Sequence, residues 1–124
     1  MSCKALKRKS NHVRCTKFTD YKKGMVIDMN KKIRTDAVDH LFDGFLSLKD
    51  KEECYSFFED LCTVNELLSL SQRFEVAAML RDRKTYLEIA EKTGASTATI
   101  SRVNRSLNYG NDGYELVFER MDPQ

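Results

Sequence analysis

Apolar positions recur with a helical period through most of this 124-residue chain. Val38, Leu41, Phe42, Phe45 and Leu46 follow 3.6-residue spacing, which predicts a helix near 35–48 with Gly44 as a weak point inside it. Cys54, Phe57, Phe58, Leu61 and Cys62 predict a second helix near 50–62. Thr63 with Glu66 three residues on forms a capping-box pattern, and Leu67, Leu70, Phe74, Ala77 and Ala78 give the stripe of a third helix over 64–82. No segment alternates with period two, the only proline is Pro123, and nothing repeats. The expected fold class is all-α.

The next stretch has a different grammar. Thr85 caps a predicted helix running to Thr93, with Glu88 in capping-box position and Leu87, Ile89 and Ala90 as its inner face. Gly94 suits a left-handed turn, Ala95 is small enough to point inward, and Ser96 or Thr97 caps a following helix. That helix keeps Ile100, Val103 and Leu107 on one side. Two short helices around a glycine turn predict a helix-turn-helix at about 85–109. A plain helical hairpin with a polar face is the bland reading of the same spacing.

The first two helices carry much large apolar surface for their length. Leu41, Phe42, Phe45, Leu46, Leu48, Tyr55, Phe57, Phe58 and Leu61 fall within 21 positions. A small body has little interior to hide them. A homodimer is expected, against the simpler reading of a compact monomer with a Phe-rich core.

Charge changes the picture at both ends. Residues 1–34 hold 11 Lys and Arg against 2 Asp and Glu, whereas residues 35–124 hold 10 against 17. The first 30 residues show neither period, so residues 1–30 are expected to be a disordered basic arm and residues 31–124 the helical domain. A further hypothesis rests on Lys22-Lys23-Gly24, whose purine-rich coding string resembles a ribosome-binding site. On it, translation starts at Met25 or Met29 rather than Met1, and a native peptide containing Cys3 or Cys15 would sink the idea. Cys3, His12 and Cys15 lack a fourth ligand, so no metal site is expected. The four cysteines, Cys54 and Cys62 included, read as free thiols of a reducing compartment, and the expected location is cytoplasmic. No apolar run approaches the roughly 20 residues that span a bilayer, so no membrane partner is expected.

The motif is where positive charge gathers. Residues 81–109 carry six basic and three acidic side chains in a body that is otherwise acidic, and no carboxylate occurs from Ser96 to Leu107. Ser96, Thr97, Ala98, Thr99 and Ser101 offer short hydroxyl and methyl groups that let a backbone approach base edges, with Arg102 and Arg105 following. Double-stranded DNA is the expected partner. An enzyme is not expected: there is no phosphate loop or nucleophile motif, and only His12 and His40 as histidines.

"LCTVNELLSLSQRFEVAAMLRDRKTYLEIAEKTGASTATISRVNRSL", residues 61–107, resembles the tryptophan repressor family, in its branch without a clear tryptophan site. The resemblance extends more weakly from Thr35 to Met121, and Gly94–Leu107 is its most specific part. It implies a six-helix intertwined homodimer that binds a palindromic operator as a sequence-specific regulator, expected to be a repressor. It places Thr97, Ala98, Thr99 and Ser101 as reading positions. It also implies an effector pocket at Thr63, Arg73, Arg102 and Ser106.

Two departures qualify that resemblance. Tryptophan-binding members have glycine after the second arginine, where this chain has Val103. Overfilling a packed site costs typically about 1–3 kcal/mol, which removes tenfold to hundredfold in affinity. No tryptophan dependence and no cofactor are expected. Val103 either mimics a ligand or leaves room for a different small molecule near Arg73 and Arg102; a structural alternative for Arg73 is an ion pair to Glu66 or Asp82. Second, Tyr86 and Leu87 stand where the family has polar phosphate-contacting residues. DNA affinity is then either weaker or anchored by Arg83, Lys84 and Arg105. The rival function is a protein-interaction module that reuses the motif.

Overall fold

The structure, a computed structural model, describes residues 32–122. The expectations for residues 1–30, including the arm, the alternative starts and Cys3, His12 and Cys15, lie outside the described residues. Six helices fall wholly within the described part: α1 Asp36–Ser47, α2 Lys51–Leu61, α3 Val64–Arg81, α4 Tyr86–Thr93, α5 Thr97–Tyr109 and α6 Gly113–Met121. No strand occurs among the described residues, so the all-α expectation holds. The first five helices match the apolar period to within one or two residues. The sixth came only from the resemblance.

The described residues fall into two compact units, divided between residues 50 and 51. In the first, Thr35 caps α1 by accepting the Val38 amide at 3.2 Å, and Asp36 and Asp39 sit in its first turn, where the helix dipole favours them. Phe42 and Phe45 lie 5.9 Å apart between ring centroids, yet α1 buries no residue.

In the second unit, α2 also buries no residue. Helix α3 starts with a complete capping box: the Glu66 amide donates to Thr63 Oγ1 at 3.3 Å, and the Thr63 amide donates to Glu66 Oε2 at 2.8 Å. Its C-terminal half meets α4 and α5. Val76, Ala77, Ile89, Ala95, Ile100, Val103 and Phe118 form the buried core, with Phe74, Met79, Leu80 and Leu107 packed around it. Helix α6 closes the core through Phe118, which stacks on Phe74 at 4.9 Å. Arg81 holds that closure from outside. Its guanidinium lies 5.4 Å over the Phe118 ring and 3.5 Å from the Glu115 carboxylate.

Two details correct the expected faces. Leu87 is 70% exposed and is not part of the inner face of α4. Two positions are roughly 200° apart on a helix, so burying Ile89 turns Leu87 outward. Leu70 is likewise exposed, whereas Val76, absent from the expected stripe, is fully buried because α3 is approached by both α4 and α5.

Candidate nucleic-acid interface

The α4–α5 turn is built as its residues dictate. Gly94 takes φ +70°, and its amide donates to the Ala90 carbonyl at 2.9 Å. The Thr93 hydroxyl donates to the Ile89 carbonyl at 2.7 Å and accepts the Ala95 amide at 3.2 Å. Gln72 of α3 donates its side-chain amide to the Thr93 carbonyl at 3.0 Å, fastening the turn to the body. Ala95 is buried. Thr85 and Glu88 complete a second capping box, at 2.7 Å from the Thr85 amide to Glu88 Oε2. The amide and hydroxyl of each capping threonine hold Glu66 and Glu88 below the usual carboxylate pKa.

Ser96, not Thr97, caps α5: its Oγ accepts the Thr99 amide at 3.2 Å and lies 3.0 Å from Thr99 Oγ1. At roughly 100° per residue, Thr97, Ala98, Ser101, Arg102 and Arg105 share one arc of about 140°, opposite Ile100, Val103 and Leu107. All five outward residues are exposed, while Ile100 and Val103 are buried. No acid occupies the first turn. Thr99 lies at the edge of the arc, half-buried, with its hydroxyl engaged by Ser96.

That edge opens into a cleft of about 120 Å³ lined by Arg73, Thr99, Arg102, Val103, Ser106 and Tyr114. Four of the five expected pocket residues therefore meet. The fifth, Thr63, caps α3 ten residues before Arg73, roughly 15 Å along the helix, and does not line the cleft in the single chain. Ser106 Oγ donates to the Arg102 carbonyl at 3.2 Å. Arg73 pairs with neither Glu66 nor Asp82, whereas Arg81 pairs with Glu115 and Asp122. Val103 serves both the cleft wall and the core.

Thr99 and Tyr114 were not expected in the cleft. Thr99 had a signal, lying three and four positions before Arg102 and Val103 on the same flank. Tyr114 had none in local sequence, because α6 brings it there by packing beside Phe74 and Phe118.

Arg83 and Lys84 are exposed and immediately precede the α4 cap. Tyr86 and Leu87 follow at 37% and 70% exposure, two exposed largely apolar side chains beside Glu88 in the first turn of α4. None of the helices in the described residues is long and apolar enough to cross a membrane.

The profile of the family described as Trp repressor protein matches residues 36–122. The chain is 62% identical over 90 residues to the uncharacterized protein YerC of Bacillus subtilis (strain 168), covering 73% of this chain and 86% of that one. It is similar to the crystal structure of a TrpR like protein from Eubacterium eligens ATCC 27750, with TM-score 0.73 and 74% identity over 74% of this chain and 95% of that one. A second solved structure, from Staphylococcus aureus, has TM-score 0.73 and 55% identity over 77% of this chain and 95% of its own.

Proposed function

We propose a function from a plain premise: the chain belongs to the Trp repressor protein family, a family of DNA-binding regulators and not of enzymes. The proposed role is a sequence-specific repressor that binds a palindromic operator as a homodimer and does so without tryptophan. One observation carries it. The acid-free outer arc of α5 presents Thr97, Ala98, Ser101, Arg102 and Arg105 to solvent on a helix locked by Ile100 and Val103. Short side chains at the start of that arc suit close approach in a major groove, and the arginines suit guanine edges or phosphates.

The homodimer is supported by the amphipathic helices. Neither α1 nor α2 buries a residue in the single chain, while Phe42, Leu46, Tyr55 and Leu61 remain 46–84% exposed. Independence from tryptophan is supported by the cleft. Val103 occupies the wall where a bare backbone would leave space.

Selection of bound duplexes from a random pool, with no small molecule added, tests the reading. Enrichment of a palindrome supports it. No enrichment from folded, dimeric protein sinks it. Micromolar binding of L-tryptophan by calorimetry would overturn the effector-free part. A second reading, docking to another protein, draws on exposed Tyr86 and Leu87. Salt separates the two, because phosphate contacts weaken steeply as salt rises and an apolar contact does not.

A further inference from the structure

Helix α3 ends in a Schellman motif that glycine would suit better than the residue present. The Lys84 amide donates to the Met79 carbonyl at 3.0 Å, and the Arg83 amide donates to the Leu80 carbonyl at 3.0 Å. Between them Arg83 stands at φ +60°, the left-handed region where a Cβ is penalised. The comparable turn after α4 uses Gly94 at φ +70°. The same backbone shape is thus made with glycine once and with an arginine once, in the two turns that flank α4.

Nothing within the described fold employs the Arg83 side chain. It is exposed, and Glu115 and Asp122 pair with Arg81 instead. It does not cap α4, where the Glu88 amide donates to Thr85 Oγ1 and the Thr85 amide donates to Glu88 Oε2. Because that turn already carries a carboxylate, an anion arriving there must be held by flanking cations. Arg83 and Lys84 are those cations, and in a helix-turn-helix the first helix lies across the nucleic-acid backbone.

We propose that Arg83 is a backbone-phosphate anchor, kept in an unfavourable left-handed conformation because its guanidinium grips a DNA phosphate beside the start of α4. This rests on the DNA-binding reading and adds a named contact outside the reading helix. It also supplies the polar grip that Tyr86 and Leu87 do not.

The test uses the full chain and a mixed-sequence duplex of about 40 base pairs, since phosphate contacts need no operator. Binding is measured across a salt series for wild type, Arg83→Asn, Arg83→Gly and Arg83→Lys. Asparagine and glycine both tolerate the left-handed backbone, so each variant folds. With Asn or Gly, binding should weaken about tenfold at low salt, and the slope of log K against log salt should fall by about 0.9 for each Arg83 engaged. Arg83→Lys should keep the slope. In Arg83→Gly the relieved left-handed penalty offsets the added freedom of the unfolded chain, so Tm should not fall and the affinity loss cannot be laid to unfolding. Unchanged affinity and slope in Asn and Gly, with wild type binding normally, would overturn the anchor and leave the regulator reading intact. A wild type that binds no duplex even at low salt would overturn both.

Discussion

The two ends of the described chain solve the problem of apolar surface in opposite ways. The α3–α6 head hides Ile89, Ile100 and Val76 completely. It is tied together by turn hydrogen bonds, an aromatic stack and Arg81. Helices α1 and α2 have apolar faces and leave no residue fully buried, with Leu46 84% exposed. Hydrophobic content alone therefore does not tell where a core is. Periodicity marks which face must be covered, and only packing shows whether the chain covers it itself. Under the proposed homodimer, the head is a self-sufficient module and the N-terminal helices are half of one.

The strongest test of that contrast is in the head. Ile100→Ala should cost about 2–5 kcal/mol by leaving a cavity, and Tm should fall by roughly 10 °C or more in a thermal melt. A small shift would show that the head is not the stable part. Leu46→Glu should act differently. If a second subunit covers this position, about 2 kcal/mol of burial is lost twice, and sedimentation should show dimerisation weakened roughly a thousandfold. An ordinary surface leucine would give a change within about 0.5 kcal/mol and no change in mass.

Smaller effects sharpen the boundary between the regions. Thr85→Ala should cost about 1 kcal/mol by removing the α4 cap, read as a shift in the denaturant midpoint. The smallest expected effect is with pH. Glu66 and Glu88 have folded-state pKa values lowered by their threonine partners. A lowered folded pKa means that the carboxylate's contribution is present above the unfolded pKa and disappears as pH falls through the folded one. Stability should therefore drop below about pH 4.5, the usual carboxylate value. Glu88→Gln should flatten part of that drop. The cap of α1 uses Thr35 and Val38 with no carboxylate at the third position, so it lacks this reciprocal box.

Most of the head was legible because its signals are local. Two Thr-x-x-Glu boxes, a glycine turn and a small buried alanine specify α3, α4 and α5 within a few residues of chain. What escaped was set by contacts across the fold. Helix α6 lacks a side-chain cap, since Asp112 sits left-handed at φ 56° before it, and its place is decided by Phe118 meeting Phe74. Tyr114 entered the cleft by the same route. Leu87 misled because an apolar residue two positions before Ile89 looks like core until the helix is rotated to bury Ile89. Thr63 carried two expectations, as a cap and as a pocket residue, and the single chain realises the cap.

Val103 has a consequence for how such a regulator is governed. A removable ligand lets a cell tune a repressor by occupancy, minute by minute. A side chain that already fills the wall of the cleft is joined covalently to the helix it supports, so its occupancy is fixed. On the proposed reading every folded copy is active, and the adjustable quantity is the number of copies. Control then passes from metabolite sensing to the synthesis and destruction of the protein itself, with a response time set by protein turnover rather than by diffusion.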